Sequence, residues 1–389
     1  MKKLLLALLA ASSIGTIQAQ SSVTIYGVLD VGYIGTSYKG VGTSATSKQT
    51  TNTFGNNAEV PSRLGFKGNE DLGGGTSAFF TVETGLNPAN STLSSFYNRQ
   101  SFVGLKQNGL GQVAVGTQLT PIFVAVARTG SNQATDMTGD VIMGGNPQTF
   151  GNSGSSTYGT SSSASGTDTG FTARTSNTFS LKSDDFKGFV GNGFVTLNNQ
   201  NTTQTSSTNG GTNNASGWGL GVDYTYGKFL GTVNYQALKS LQTAATVTTP
   251  TPAVWNGSSG GVNTQDNQTY VGATYDFGIL KAYAQYINRK ATDTLNTNYW
   301  GQRKAEQIGV RGFFTPRIEG WASTGLGKVT AFGQNEPTAN FTGYQLGSNY
   351  WLSKRTNFYA IYGLTQTSST SAAPALAASS YALGVRHTF

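Results

Sequence analysis

The chain ends on ten residues that alternate strictly: Ser380-Tyr381-Ala382-Leu383-Gly384-Val385-Arg386-His387-Thr388-Phe389. Successive side chains of a strand point to opposite faces. Tyr381, Leu383, Val385, His387 and Phe389 therefore share one face, and Ala382, Gly384, Arg386 and Thr388 share the other. The first face is apolar and the second is small or polar. The same two-residue period recurs along the chain, so it must build β-structure whose apolar side meets a second apolar layer or lipid.

Strand-like segments fall at 23–34, 62–67, 76–83, 98–106, 112–118, 174–182, 189–197, 217–226, 229–236, 268–276, 279–288, 305–314, 320–328, 340–350, 356–363 and 380–389, which makes sixteen. Their connections alternate. Seven are short turns such as Gly227-Lys228, and eight are long and rich in Ser, Thr, Asn and Gly. An even count with short turns on one side and long loops on the other specifies an all-β, sixteen-stranded antiparallel transmembrane barrel. Trp218, Leu220, Val222 and Tyr224, or Phe179 and Leu181, are lipid-facing sets on this reading. A β-sandwich would need two apolar inner faces and would rarely spread sixteen strands through one domain.

One connection is out of scale. Residues 119–172 exceed the length of ordinary loops, and a structureless loop of that size normally signals function. Its start, Pro121-Ile122-Phe123-Val124-Ala125-Val126-Ala127, is apolar and unsuited to bulk water. It is expected to fold inward as a plug or constriction. No helix of convincing length is expected anywhere.

The N-terminus reads as an export signal. Lys2 and Lys3 precede the apolar run from Leu4 to Ala11, and Ile17-Gln18-Ala19 suits a signal peptidase. Residues 1–19 are expected to be removed, leaving a barrel of residues 20–389. The apolar run is well short of the roughly 18 residues that a helical span needs. There is no Cys, so an exported chain of this size must rely on its main-chain ladder or core. Charged residues make up 11%, but Phe, Tyr and Trp number 21, 18 and 5, too many for a disordered tail. Of 25 basic residues two lie in the leader, which leaves 23 against 17 acids and a net charge of +6. Scattered basic charge in an exported chain fits an anion-attracting interior better than a nucleic-acid surface.

At this point the residues resemble a family. Ser22-Val23-Thr24-Ile25-Tyr26-Gly27-Val28-Leu29-Asp30, Ser62-Arg63-Leu64-Gly65-Phe66-Lys67-Gly68 with Glu70-Asp71-Leu72-Gly73-Gly74-Gly75, and Asn98-Arg99-Gln100-Ser101-Phe102-Val103-Gly104-Leu105-Lys106 are similar to the general porins of Gram-negative bacteria. So are Leu352-Ser353-Lys354-Arg355-Thr356 and Gly384-Val385-Arg386-His387-Thr388-Phe389. The likeness is in particular to the trimeric sixteen-stranded porins of β-proteobacteria. The resemblance implies an outer-membrane, water-filled channel narrowed by its third long loop, with an arginine wall opposite acidic groups.

Arg63, Arg99 and Arg174 match that wall, with Lys67 on the same face as Arg63. Strand phase supports them, since Arg63 alternates with Leu64 and Phe66, Arg99 with Phe102, and Arg174 with Phe179 and Leu181. Glu83 stands where relatives carry an inward carboxylate, and Asp136 and Asp140 lie on the long loop. The terminal Phe389 matches the signal read by the barrel assembly machinery. A homotrimer among outer-membrane lipid and lipopolysaccharide, passing small hydrophilic solutes and anions without any cofactor, is the implied setting. The chain differs in having Gly116-Thr117-Gln118 where relatives commonly carry an arginine.

Other classes fit less well. The one histidine, His387, lies on the apolar phase of the last strand, and the chain carries no Cys, so the usual nucleophilic and zinc arrangements are missing. An adhesin-like barrel would give a narrowing loop no purpose. A channel specific for phosphate or organic anions is the alternative within the porin class.

Overall fold

The computed structural model describes residues 22–40, 47–89, 92–93, 99–133, 135, 137–143, 157–158, 174–206, 209–244, 264–294, 297–298, 300–332, 338–369 and 375–389. The expected signal peptide, residues 1–19, and Asp136 lie outside them. The strands are β1 (Ser22–Lys39), β2 (Lys48–Asn56), β3 (Arg63–Gly73), β4 (Thr76–Asn87), β5 (Thr92–Leu93), β6 (Gln100–Gln107), β7 (Gly111–Leu119), β8 (Thr157–Tyr158), β9 (Arg174–Ser183) and β10 (Phe189–Ser206). They continue as β11 (Asn209–Tyr226), β12 (Phe229–Ala244), β13 (Thr264–Asp276), β14 (Lys281–Asp293), β15 (Trp300–Thr315), β16 (Ile318–Phe332), β17 (Ala339–Trp351), β18 (Thr356–Thr367) and β19 (Leu376–Thr388). The helix α1 (Pro121–Thr129) lies between β7 and β8.

These strands form one closed antiparallel wall. β1 pairs with β19 from Val28↔Thr388 to Lys39↔Ala377, which seals the barrel. On its other side β1 pairs with β3 through Val28↔Arg63 and with β2 from Val31↔Asn56. β2 and β3 thus occupy a single wall position, interrupted by residues 57–62. β5 and β8 are two-residue pairings off the wall, so the barrel has sixteen strand positions. Closure leaves no unpaired edge, which is what a β-structure needs in lipid.

The burial pattern is that of a soluble protein turned inside out. Leu220 is 61% exposed, and Val103, Leu105, Val195, Leu197, Trp218, Val222, Ile308, Leu326, Leu346 and Leu383 are also exposed on the outer face. Gln268 is 0% exposed, and Gln236, Asn349, Asn357 and Asp30 are equally buried inside. An outer surface of that composition is stable only against hydrocarbon. No helix among the described residues is long and apolar enough to cross a membrane, so the crossing is made by strands.

The strands run further than the alternating pattern suggests. β11 starts at Asn209 rather than 217, and β12 reaches Ala244 rather than 236. The added segments, such as Asn209-Gly210-Gly211-Thr212-Asn213-Asn214, have no apolar face, because both sides are polar there. β2 carries no alternating signal for the same reason. The apolar stretch after β7 is helical: Pro121 occupies the first turn, and the Thr120 side chain caps Phe123 N at 3.4 Å.

The last strand carries Tyr381, Leu383, Val385 and Phe389 outward as its pattern dictates. Phe389 exchanges two main-chain bonds of 3.1 Å with Gly27. Its ring occupies the space that a side chain on Gly27 would fill. We expect deletion of Phe389 to lower surface levels in cells strongly while costing only about 1–3 kcal/mol in detergent refolding. Comparing outer-membrane yield with urea midpoints would check this, and normal surface levels would refute it.

Candidate functional site

The described first part of the long loop, from α1 to Met143, turns inward and lines the barrel wall. Ile122, Ala125, Val126 and Thr129 of α1 are buried against β11–β14. Arg128 Nη1 donates to Asp223 at 2.6 Å, and the Thr129 and Tyr270 hydroxyls are 2.5 Å apart. Beyond α1 the wall holds the loop by its main chain. Arg311 donates to the Ser131 carbonyl at 2.9 Å, and Gln345 donates to the carbonyls of Met137 and Thr138 at 3.2 Å. Gly139 N donates to Thr365 at 3.0 Å, and Thr138 N to Ser380 at 3.2 Å. Arg303 donates to the carbonyls of Val141 and Ile142.

Below this run the wall is shaved flat. Gly272, Gly309, Gly325, Gly343 and Gly363 sit on five strands, and a methyl on any of them would strike Thr129, Ser131, Val141, Gly139 or Thr138. The glycines let loop and wall approach to backbone distance, which accounts for five of the many glycines in the sequence.

A second segment turns inward at residues 57–62. The Asp30 carboxylate accepts from Glu59 N and Val60 N at 2.7 Å and from the Tyr359 hydroxyl at 2.6 Å. Glu59 in turn accepts from Asn349 at 2.8 Å and Asn357 at 3.0 Å, and pairs with Arg386 at 3.3 Å. This segment meets the loop directly, because Thr135 Oγ1 donates to the Ala58 carbonyl at 2.6 Å. Ala58, Met137, Trp321, Tyr359, Ile361 and Ala382 pack together at the junction.

The loop and the 57–62 segment leave a cavity of about 820 Å³ in the lumen. Among the described residues Arg63, Arg99, Arg128, Arg174, Lys281 and Arg386 border it, against one carboxylate, Glu83. Glu83 is the centre of the cluster. It pairs with Arg99 Nε at 2.6 Å and Arg63 Nε at 3.6 Å, and it accepts from the Tyr26 hydroxyl at 3.1 Å. A carboxylate that receives several charge-assisted bonds fixes the direction of its partners.

The expected site residues are therefore placed in different ways. Arg63, Arg99 and Glu83 come together at the lumen. Arg174 touches the cavity but is 1% exposed, with its guanidinium 5.2 Å from the Phe123 ring under α1. Lys67 lies nearer the short-turn end, 5.6 Å over the Tyr26 ring, and does not border the cavity. Asp140 faces away from the lumen. It is buried in the loop, accepting from Asn132 at 2.6 Å, Ile142 N at 2.7 Å and Met143 N at 2.9 Å. Burial pushes its carboxyl pKa up, and these bonds and Arg303 oppose the shift.

The phase argument for Arg99 needs correction. Phe102 lies opposite Thr81, two residues from the Glu83↔Gln100 pair, and packs edge-on to Phe79 at 6.3 Å. Its neighbours Val103 and Leu105 are the outward residues. Phe102 therefore faces the lumen. Arg99 reaches Glu83 because it lies just before β6 begins, outside strand alternation, with its own N–H on the Glu83 carbonyl at 3.2 Å.

Arg128, Lys281 and Arg386 are site residues to which the sequence reading does not point. Arg386 was within reach, since alternation of the final strand puts it on the inner face. Lys281 begins β14 on the same phase as the inward Gln285, while Arg128 depends on how the loop docks and carries no local signal.

Comparison with known proteins follows the same lines. The family model of the Gram-negative porins matches residues 5–370. An outer membrane porin protein of Bordetella pertussis is 36% identical over 127 residues, 30% of this chain and 33% of that protein. Such a match spans about a third of the relative's length. The anion-selective porin from Comamonas acidovorans superposes with a TM-score of 0.70 at 20% identity, covering 95% of this chain and 100% of that one. The trimer form of OmpT, an outer membrane protein of Vibrio cholerae, gives 0.60 at 16% identity over 95% and 99%.

Proposed function

The chain belongs to the Gram-negative porin family, and from that premise we propose that it forms a passive, water-filled channel that favours small hydrophilic anions. As a family of channels rather than enzymes, these proteins reside in the outer membrane. The observation that carries the anion preference is the cavity lining of six bases against one carboxylate. Counting the partners Asp223 and Glu59 as well, the bases still outnumber the acids. Fixed charges at a narrow opening with low-dielectric walls act on a passing ion more strongly than the same charges on an open surface.

On this reading Arg63 and Arg99 supply the field, while Glu83 holds them in place and cancels one unit of charge. The loop narrows the bore so that ions pass close to the arginines. Residues 1–19 act as the removable export signal. Three copies assemble, as in the trimer form of the OmpT relative.

Planar bilayers in a salt gradient test the reading. The expected result is a steady conductance whose reversal potential indicates chloride over potassium, with closures under voltage in three equal steps. Folded protein without conductance would overturn the channel, and a cation-selective reversal potential would overturn the anion preference.

A further inference from the structure

An aromatic ring stands on the water side of the wall with no part in the arginine cluster. Phe102 points into the lumen, packed edge-on against Phe79 at 6.3 Å. A second cavity, of about 180 Å³, opens beside Phe102 along α1. It adjoins the larger cavity, with which it shares Gln100, Leu119 and Arg128.

The faces of α1 separate the two spaces. Ile122, Val126 and Thr129 are buried against the wall, while Phe123 and Ala127 border the larger cavity. Pro121, Val124 and Arg128 follow one another at three and four residues, so they share a face, and this face lines the smaller cavity. Val124 is 39% exposed there. An apolar side chain and an aromatic ring are thus both offered to the same small space.

The polar lining lies at the opposite end. Gln112, Lys182 and Asn192 are direct neighbours across β7, β9 and β10. The row of Phe102, through Gly116 and Thr178, is four residues further from the short turns. That is about 14 Å along the strands. Among the described residues, the Lys182 ammonium and the side-chain amides of Gln112 and Asn192 have no hydrogen-bond or ion-pair partner in the protein. The other cation at the pocket, Arg128, is already held by Asp223 at 2.6 Å. The described lining therefore has an apolar end, a polar end and one uncompensated positive charge.

We propose that this pocket binds a small aromatic carboxylate, a single ring bearing a single acid group. The ring lies against Phe102 and Val124, and the carboxylate accepts from Lys182, Gln112 and Asn192. The size agrees, because a cavity of about 150 Å³ already holds a benzene ring. An acid as small as acetate would leave Phe102 and Val124 wet. A neutral ring would leave the charge of Lys182 unanswered, and a dianion would meet only one free cation. The occupant rests beside the ion path, on the short-turn side of α1, and not among Arg63, Arg99 and Glu83. The inference rests on the water-filled lumen proposed above.

The test uses full-length mature protein in mild detergent, with para-fluorobenzoate as the probe and its fluorine NMR line width as the readout. Saturable broadening is expected, with benzoate displacing the probe about tenfold more effectively than acetate or benzyl alcohol. Lys182→Gln and Phe102→Ala should each weaken binding by a similar factor. Val124→Ser, on the helix instead of the wall, should do the same if a wall variant fails to fold. Chloride conductance in bilayers reports that each variant is folded. Equal displacement by acetate or benzyl alcohol would overturn the pocket. So would full binding by Lys182→Gln with loss in Arg63→Ser/Arg99→Ser, which would put the probe at the constriction. Binding in detergent needs no ion flow. Protein that binds without conducting therefore counts against the channel and supports the pocket, and protein that conducts without binding overturns the pocket alone.

Discussion

Replacing Arg63 and Arg99 together with serine is expected to abolish the preference for chloride, or to reverse it at low salt. Of the six bases around the cavity these two form a cluster in which two positive charges share one carboxylate, while Lys281 stands apart, 5.4 Å over the Tyr283 ring. Arg128 is held by Asp223 at 2.6 Å and Arg386 by Glu59 at 3.3 Å, while Arg174 is covered by Phe123. Arg63 and Arg99 share the single carboxylate of Glu83 and keep side-chain exposures of 29% and 12%. Without them Glu83 becomes an uncompensated anion at the same place. A unit charge about 6 Å from a passing ion at an effective dielectric near 20 amounts to about 2–3 kcal/mol before screening. A change of about tenfold in the chloride-to-potassium permeability ratio is therefore expected at low ionic strength, shrinking as salt rises.

The companion variant Glu83→Gln should move the ratio the other way, since it removes the acid and leaves both arginines. Arg174→Ser should do little to selectivity and should instead loosen α1. Reversal potentials at two salt concentrations separate these outcomes. Wild-type selectivity in the Arg63→Ser/Arg99→Ser protein at low salt would mean that the external loops supply the pore's charge.

Excising residues 121–143 in favour of a short Gly-Ser link is expected to raise single-channel conductance by about twofold or more, because ion flow through a water-filled constriction rises with its open cross-section. Phe123, Ala127, Arg128, Gly130, Gln133 and Met143 all border the lumen cavity and would be gone. The wall itself should persist. Its strands pair with one another throughout, and the loop meets them through side chains and through its own carbonyls and N–H groups, without joining the ladder. Removal does uncover the buried inner residues Tyr270, Gln307, Arg303 and Gln345. Their polar groups gain water in place of loop carbonyls for Arg303 and Gln345, the Val141 N–H for Gln307 and the Thr129 hydroxyl for Tyr270, so the net cost in stability is modest. Conductance equal to wild type would show that the bottleneck lies elsewhere along the channel.

How much of this was legible beforehand depended on where lipid imposes a period. Within the apolar band, alternation located every strand position, and Trp218, Leu220 and Val222 face outward as read. Above the band both faces are polar, so β2 and the upper part of β11 left no trace. The site was legible in part. Arg63 was singled out by phase and resemblance together, and Glu83 by resemblance alone. Arg99 was reached through a wrong neighbour, since Phe102 faces inward and the arginine precedes the regular strand. Asp140 could not be placed, because an acid that caps its own loop looks the same in sequence as one that meets solute. The inward course of residues 57–62 is announced only by the polar pair Asn56-Asn57, and its partners, Asp30 and Tyr359, are remote in the chain.

The docking of the long loop also carries a clock. Its grips come from far apart in sequence: Thr135 reaches Ala58 across 77 residues, and Thr138 reaches Ser380 across 242. One grip sits beside the first strand and the other on the last. The two lie near each other only once β1 and β19 have joined. Contacts of such separation form late, after the chain entropy between them has been given up. A half-built sheet therefore has no seat for the loop, and the bore takes its narrow form only when the cylinder is complete. The selectivity proposed above would then be a property that no fragment or open intermediate can possess, and a leaky, unselective passage would be the signature of a barrel caught before its seam has closed.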